Sequence, residues 1–307
     1  MAEIVYLNGY LVPRSEARLS PFDHGFLYGC GLFETMRAYD GRIFRLDRHL
    51  SRLRRSAETL GLSHDVIASG GPDSERNERE GAAKQSLEAA CLETLRANKL
   101  KDARVRLTVT AGEGDVTPDP STCSGPTILI TAKAFVPPPR EKYEVGFKTV
   151  LSSLRRNSYS PLSRLKSTCY LDNIVARMEA KAAGCDEAIL LNEQGYLAEG
   201  SITNIFLVSK GNLITPSLET GVLAGITREA ILEIAQDSNI SAVEREVELE
   251  ELREAEEAFV TNSLLEIMPL TWLDRMPVGT GKSGQLTKKL MAAYGELVDG
   301  TRGDISR

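Results

Sequence analysis

Arg164-Leu165-Lys166-Ser167-Thr168-Cys169-Tyr170-Leu171-Asp172-Asn173 places one lysine in a run rich in small polar residues, directly ahead of helical spacing from Leu171 to Ala183. A lysine so placed has two readings: a Schiff-base amine acting from its neutral form, or a surface cation near a helix start. Upstream, Pro137-Pro138-Pro139 is a stretch without backbone donors, stiff and unsuited to a strand interior. The expected organisation is a domain over residues 1–136, a proline-rich linker over 137–141 and a second domain over 142–307 that carries Lys166.

On the N-terminal side, Glu3 to Val12 alternates around Asn8-Gly9, and Phe33 to Phe44 does so around Asp40-Gly41; both are hairpin signals. Leu46, Leu50, Leu53, Ala57 and Leu60 fall at helical spacing, Gln85 to Leu100 reads as another helix, and Val105–Thr110 and Ile128–Phe135 read as strands. Ser69 to Ala82 is rich in Gly, Ser, Asn and charge, and reads as a solvated loop. Beyond the linker, Glu187 to Thr215 reads as a three-stranded meander turning at Glu193-Gln194-Gly195 and Lys210-Gly211-Asn212. A helix from Thr227 to Ala235, an acidic helical stretch from Glu248 to Glu257, a strand from Ala258 to Thr261 and a helix from Gly284 to Leu297 follow. Strands grouped with strands predict two α+β domains, not a doubly wound parallel sheet.

The 307 residues suffice for two domains without disulfide staples, and 42% apolar with 26% charged residues is a globular balance. Subtracting 43 acidic from 37 basic residues leaves −6, which argues against a nucleic-acid partner. No apolar run is long enough for a membrane span, and the start lacks a secretory pattern, so a cytoplasmic location is expected. Cys30, Cys91, Cys123, Cys169 and Cys185, with His24, His49 and His64, show neither a disulfide framework nor metal-ligand spacing, so no metal is expected.

Two further segments carry chemistry. Glu199, within Gly195-Tyr196-Leu197-Ala198-Glu199-Gly200-Ser201-Ile202-Thr203-Asn204-Ile205-Phe206, sits in a predicted strand beside small residues. It is either a buried acid that needs a partner, such as a protonated ring nitrogen, or a surface acid on an edge strand. Gly221-Val222-Leu223-Ala224-Gly225-Ile226-Thr227-Arg228-Glu229 opens onto a helix whose first N–H groups and Thr227 hydroxyl suit phosphate, or Thr227 is an ordinary N-cap. No Walker or dinucleotide fingerprint is present.

In this order and spacing, the three segments resemble the class IV (fold type IV) pyridoxal-phosphate enzymes: branched-chain aminotransferases, D-amino-acid aminotransferases and 4-amino-4-deoxychorismate lyases. The resemblance includes Leu7-Asn8-Gly9, Gly31-Leu32-Phe33-Glu34-Thr35-Met36-Arg37, His49-Leu50-Ser51-Arg52-Leu53 and Thr261-Asn262-Ser263-Leu264-Leu265-Glu266-Ile267-Met268-Pro269. It implies a two-domain α+β fold like that of D-amino-acid aminotransferase, with a smaller N-terminal α/β domain and a larger C-terminal one. It also implies pyridoxal 5'-phosphate, a small-molecule amine substrate and a homodimer. By the same resemblance, Lys166 bonds the cofactor and takes the substrate's proton, and Glu199 keeps the pyridine nitrogen protonated. Arg52, Ile226, Thr227 and Ser263 hold the phosphate, and Tyr170 lies near the phenolic oxygen.

Within that family, Thr35 stands where branched-chain enzymes usually have glycine and lyases favour threonine. Lys166 and Tyr170 are four residues apart, as in the lyase and D-amino-acid branches. Val109-Thr110-Ala111-Gly112-Glu113-Gly114 lacks the arginine resembling a D-amino-acid carboxylate trap. The expectation is therefore a lyase releasing p-aminobenzoate and pyruvate, with Thr35 in substrate positioning or proton transfer. An aminotransferase of branched-chain or D-amino-acid type is the alternative, and a non-catalytic cofactor-binding relative the second alternative.

Overall fold

The computed structural model describes residues 3–62 and 86–303, with side chains up to residue 300. The expected loop over Ser69–Ala82 lies outside these residues. Two compact units emerge: Met1–Val136 with Lys166–Cys169, and Pro137–Leu165 with Tyr170–Arg307. Lys166 thus groups with the first unit, where the sequence reading had assigned it to the second.

The first unit is built on a six-stranded antiparallel sheet in the order β2-β1-β6-β5-β3-β4. Its strands are β1 (Ile4–Leu7), β2 (Tyr10–Pro13), β3 (Gly31–Tyr39), β4 (Arg42–Ile43), β5 (Ala103–Thr110) and β6 (Thr127–Ala134). Both expected hairpins form, and their turn residues Asn8-Gly9 and Asp40-Gly41 all have positive φ, as two-residue turns matching strand twist require. Ala103, Val105, Leu107 and Val109 alternate onto the buried face of β5, each contributing hydrophobic stabilisation, about 1.5–3 kcal/mol for a valine or leucine. Among the described residues this unit has three helices: α1 (His24–Tyr28), α2 (Leu46–Thr59) and α3 (Leu87–Ala97). The second packs on β3 and the third on β1 and β6, burying Leu50, Leu53, Leu87 and Leu95.

Short β4 pairs only with Ala38 and Tyr39, so the Gly31–Phe33 end of β3 has an open edge. Residues 166–168 fill it. Phe33 N–H donates to the Lys166 carbonyl and Thr168 N–H to the Gly31 carbonyl, both at 2.9 Å, with Leu32 and Ser167 bridged. This pairing is why the lysine leaves the unit of its chain neighbours.

In the second unit, Pro139, itself extended at φ −62° and ψ 154°, is the N-cap of α4 (Arg140–Val145), so a short helix begins inside the expected 137–141 linker. A nine-stranded mixed sheet follows, in the order β12-β11-β10-β13-β14-β7-β8-β9, with β15 on β14. Its strands are β7 (Phe147–Arg156), β8 (Glu187–Asn192), β9 (Leu197–Gly200), β10 (Asn204–Ser209), β11 (Asn212–Pro216), β12 (Ala242–Arg245), β13 (Glu257–Asn262), β14 (Glu266–Leu273) and β15 (Met276–Pro277). The stretch expected as a three-stranded meander holds four strands and is not one meander: β8 pairs with β9 and β10 with β11, and the chain breaks at Ser201-Ile202-Thr203 between the two pairs. Ile189, Leu197, Ile205, Leu207, Val260 and Met268 form the core. On the opposite face of β8, α5 (Leu171–Ala182) packs Ala176 and Ala180 on Ala188 and Leu190 as a second, smaller cluster. α6 (Ile226–Asp237) and α8 (Gln285–Gly303) pack together, while α7 (Leu249–Arg253) is a short turn shorter than the acidic stretch suggested. Among the described residues no helix is long and apolar enough to cross a membrane.

Candidate active site

Adjacent residues of a strand point to opposite faces, and β3 uses both. On its helix side Glu34 meets α2, where His49 and Arg52 lie one turn apart. Arg52 Nε donates to Glu34 Oε1 at 2.8 Å and Nη2 to Oε2 at 2.6 Å, while His49 Nδ1 bonds Oε2 at 2.7 Å. Burial alone would raise the Glu34 pKa, but the Arg52 charge and the bonds from His49 and Arg52 hold it down at about 2. Burial pushes the His49 imidazole down, and the Arg52 and Lys166 charges add to this against the pull of Glu34.

On the other face, the Phe33 ring carries two cations: Lys166 Nζ at 4.8 Å and Arg106 Cζ at 3.9 Å from its centroid. Thr35 follows two residues along on this face, half-buried, and stands opposite Arg106 in the β3–β5 register. An amine and a guanidinium thus border one aromatic ring, and Thr35 shares its strand face.

In the second unit Glu199 is 4% exposed, so the surface reading is set aside. Arg156 Nη2 lies 2.7 Å from its Oε1; Leu223 N–H donates to Oε2 at 3.0 Å and Asn204 Nδ2 does so at 3.4 Å. Asn204 Nδ2 also donates to the Leu223 carbonyl at 2.8 Å. Close by, α6 begins at Ile226 with Gly225 as N-cap and no side-chain cap, so Thr227 is inside the first turn and is not the cap. A Cβ on Gly225 would stand 1.9 Å from Asn204 Oδ1, which makes glycine the residue that fits here. Ile226 and Thr227 are buried, and the uncapped first-turn N–H groups form an anion cradle next to the acid's own network. Ser263 is half-buried in the β13–β14 turn, held by Asn262 Oδ1 accepting from Leu264 and Leu265 N–H at 2.9 and 2.8 Å. Beside it Thr261 Oγ1 is buried without a hydrogen-bond partner. Tyr170 occupies the N-cap position of α5.

The sequence reading named Lys166, Thr35, Arg52, Glu199, Ile226, Thr227, Ser263 and Tyr170. The structure collects Lys166, Thr35 and Arg52 in the first unit and the others in the second. It adds Glu34 and His49, which the quoted motifs contained without their pairing, and Asn204 and Arg156. Arg156 went unnoticed because β7, which carries it, was not foreseen.

A buried acid linked through Leu223 and Asn204 to an uncapped helix N-terminus suits the nitrogen and the phosphate of one phosphorylated pyridine. The half-buried amine suits an aldehyde. Taken unit by unit, these donors are of the kinds a pyridoxal-phosphate enzyme uses. Residues 31–272 match the family model for amino-transferase class IV. A Methanocaldococcus jannaschii protein provisionally named a branched-chain-amino-acid aminotransferase is 37% identical over 294 residues, 95% of this chain and 96% of that one. The aminodeoxychorismate lyase of Bacillus subtilis is 37% identical over 293 residues, 95% and 93% of the two chains. A branched-chain amino acid aminotransferase from T.th., solved with pyridoxamine 5'-phosphate, superposes at a TM-score of 0.87, with 30% identity over 99% of this chain and 96% of that one. The chain belongs to the class IV aminotransferase family, and it is an enzyme whose cofactor is pyridoxal 5'-phosphate.

Proposed function

We propose that this enzyme is a 4-amino-4-deoxychorismate lyase, releasing p-aminobenzoate and pyruvate. What supports this reading is Thr35, whose hydroxyl shares a strand face with the Phe33 ring that carries Lys166 and Arg106. A hydroxyl on that face can position or protonate an enolpyruvyl leaving group, and the Arg106 guanidinium suits its carboxylates. The 37% identity to the Bacillus subtilis lyase is compatible with this reading and is equalled by that to the Methanocaldococcus jannaschii relative.

When bound, the cofactor supplies an electron-poor ring that draws electrons from the carbon losing its proton. Lys166 would hold the cofactor through its aldehyde, and its Nζ, once freed, would be the base that takes the proton from the substrate carbon next to nitrogen. Glu199 would keep the pyridine nitrogen protonated. By the family resemblance, Ile226 N–H, the Thr227 and Ser263 hydroxyls and Arg52 would hold the phosphate, and Tyr170 would serve the phenolic oxygen. The electron pair left by that proton aromatises the ring as the ring-carbon-to-oxygen bond breaks; the expelled enolpyruvate takes up a proton and tautomerises to pyruvate, leaving p-aminobenzoate. On family grounds the protein is a cytoplasmic homodimer, which its mass in solution tests.

Amino transfer to a 2-oxo acid is the second reading, favoured by the branched-chain names of the relatives from Methanocaldococcus jannaschii and T.th.. The deciding assay sets p-aminobenzoate release from aminodeoxychorismate beside transfer from leucine, glutamate and D-alanine. Release without substantial transfer is expected; robust transfer with no p-aminobenzoate overturns the lyase.

A further inference from the structure

The geometry points to Arg156 as a positioning residue that holds Glu199 ionised and ties it to the loop leading into Lys166; this rests on the reading of Glu199 as the partner of the pyridine nitrogen. Arg156 is the last residue of β7, and one atom, Nη2, makes both contacts: Glu199 Oε1 at 2.7 Å and the Ser163 carbonyl at 3.0 Å. Ser163 lies three residues before Lys166 in the chain. Its hydroxyl donates to the Asn157 carbonyl at 2.7 Å, and the neighbouring Arg164 Nε donates to the Leu218 carbonyl at 3.0 Å, so the loop is braced from within and against the Leu218 segment of its own unit.

The guanidinium is mostly buried, and its Nε is enclosed without a hydrogen-bond partner. An orphaned buried donor is unfavourable, so the head group is drawn in by the contacts of Nη2. Burial favours the neutral form of a carboxyl, whereas a cation in contact favours the carboxylate. Only the carboxylate keeps a pyridine nitrogen protonated. Arg156 supplies that charge on Oε1, while Leu223 N–H and Asn204 Nδ2 fix the turn of the group through Oε2.

The test uses purified holoenzyme with Arg156→Met, Arg156→Lys, Glu199→Gln and the doubles. The visible absorbance of the bound cofactor is titrated against pH, and cofactor retention is followed on dialysis. Arg156→Met is expected to move the titration midpoint by about one pH unit or more and to weaken retention. Arg156→Lys restores most of the midpoint, and in the Glu199→Gln background Arg156→Met moves it no further. A folded Arg156→Met protein that titrates and retains cofactor like wild type overturns the role, as does an equal shift with and without Glu199. If Arg156→Met does not fold, Arg156→Lys against Arg156→Lys/Glu199→Gln decides by the same comparison. Wild type that takes up no cofactor overturns the underlying reading too; wild type that does, with unchanged variants, overturns Arg156 alone.

Discussion

Glu34 on β3 and Arg52 on α2 form a two-pronged ion pair, Nε to Oε1 at 2.8 Å and Nη2 to Oε2 at 2.6 Å, with both side chains almost fully buried. The pair fixes the guanidinium that the site reading assigns to the cofactor phosphate. Removing one partner leaves a buried charge uncompensated. Glu34→Ala should therefore cost about 3–5 kcal/mol of stability, read by urea unfolding, and should loosen cofactor binding. A variant as stable as wild type would show that the pair contributes nothing.

The same cluster sets the acid limit. Glu34 falls from 4.5 to about 2 in the folded chain, so its stabilisation is present above the unfolded value and is lost as pH falls through that window. The shift corresponds to about 3 kcal/mol. His49, whose pKa is lowered by burial first, adds a loss of the same sign as pH falls below its usual 6.5, because the unfolded chain takes up the proton more readily. Urea midpoints should thus decline from pH 7 to 3. Glu34→Gln should flatten the lower part of the curve, and a profile unaffected by that substitution contradicts the assignment.

The alternation of β5, the two hairpins and helix α2 were legible because one buried face imposes a period on the sequence. Glu199 and the α6 turn were legible because small residues beside a polar group mark a crowded backbone. What escaped had no such pattern. Strands β7 and β14 mix apolar with polar residues in the sheet's interior, and the Ser201-Ile202-Thr203 break carries no glycine. The buried carboxylate of Glu187 accepts hydrogen bonds from both Ser201 and Thr203, a long-range reason that no local reading supplies. Arg156 and the edge pairing of Lys166 on β3 depend on tertiary contacts in the same way.

Gly225 tests the link from the acid to the phosphate cradle. In Gly225→Ala the new methyl would stand 1.9 Å from Asn204 Oδ1, so the amide must swing away from Leu223 and Glu199. The flexible end can move, so the fold should survive at a cost of about 1–3 kcal/mol while cofactor dissociation accelerates. Dissociation at the wild-type rate would separate Asn204 from the site.

Thr35 tests the chemistry. Thr35→Ser should retain p-aminobenzoate release, whereas Thr35→Val, equal in shape but without the hydroxyl, should lower kcat by about 10²-fold or more with little change in cofactor absorbance. A fully active Thr35→Val enzyme would take the hydroxyl out of the reaction.

The covalent attachment at Lys166 is the most direct measurement of all. Protein loaded with pyridoxal phosphate, reduced with borohydride and digested should yield one phosphopyridoxyl peptide, modified at Lys166, and Lys166→Ala should yield none. Modification at a different lysine, or an unmodified Lys166 in protein that has taken up the cofactor, contradicts the account.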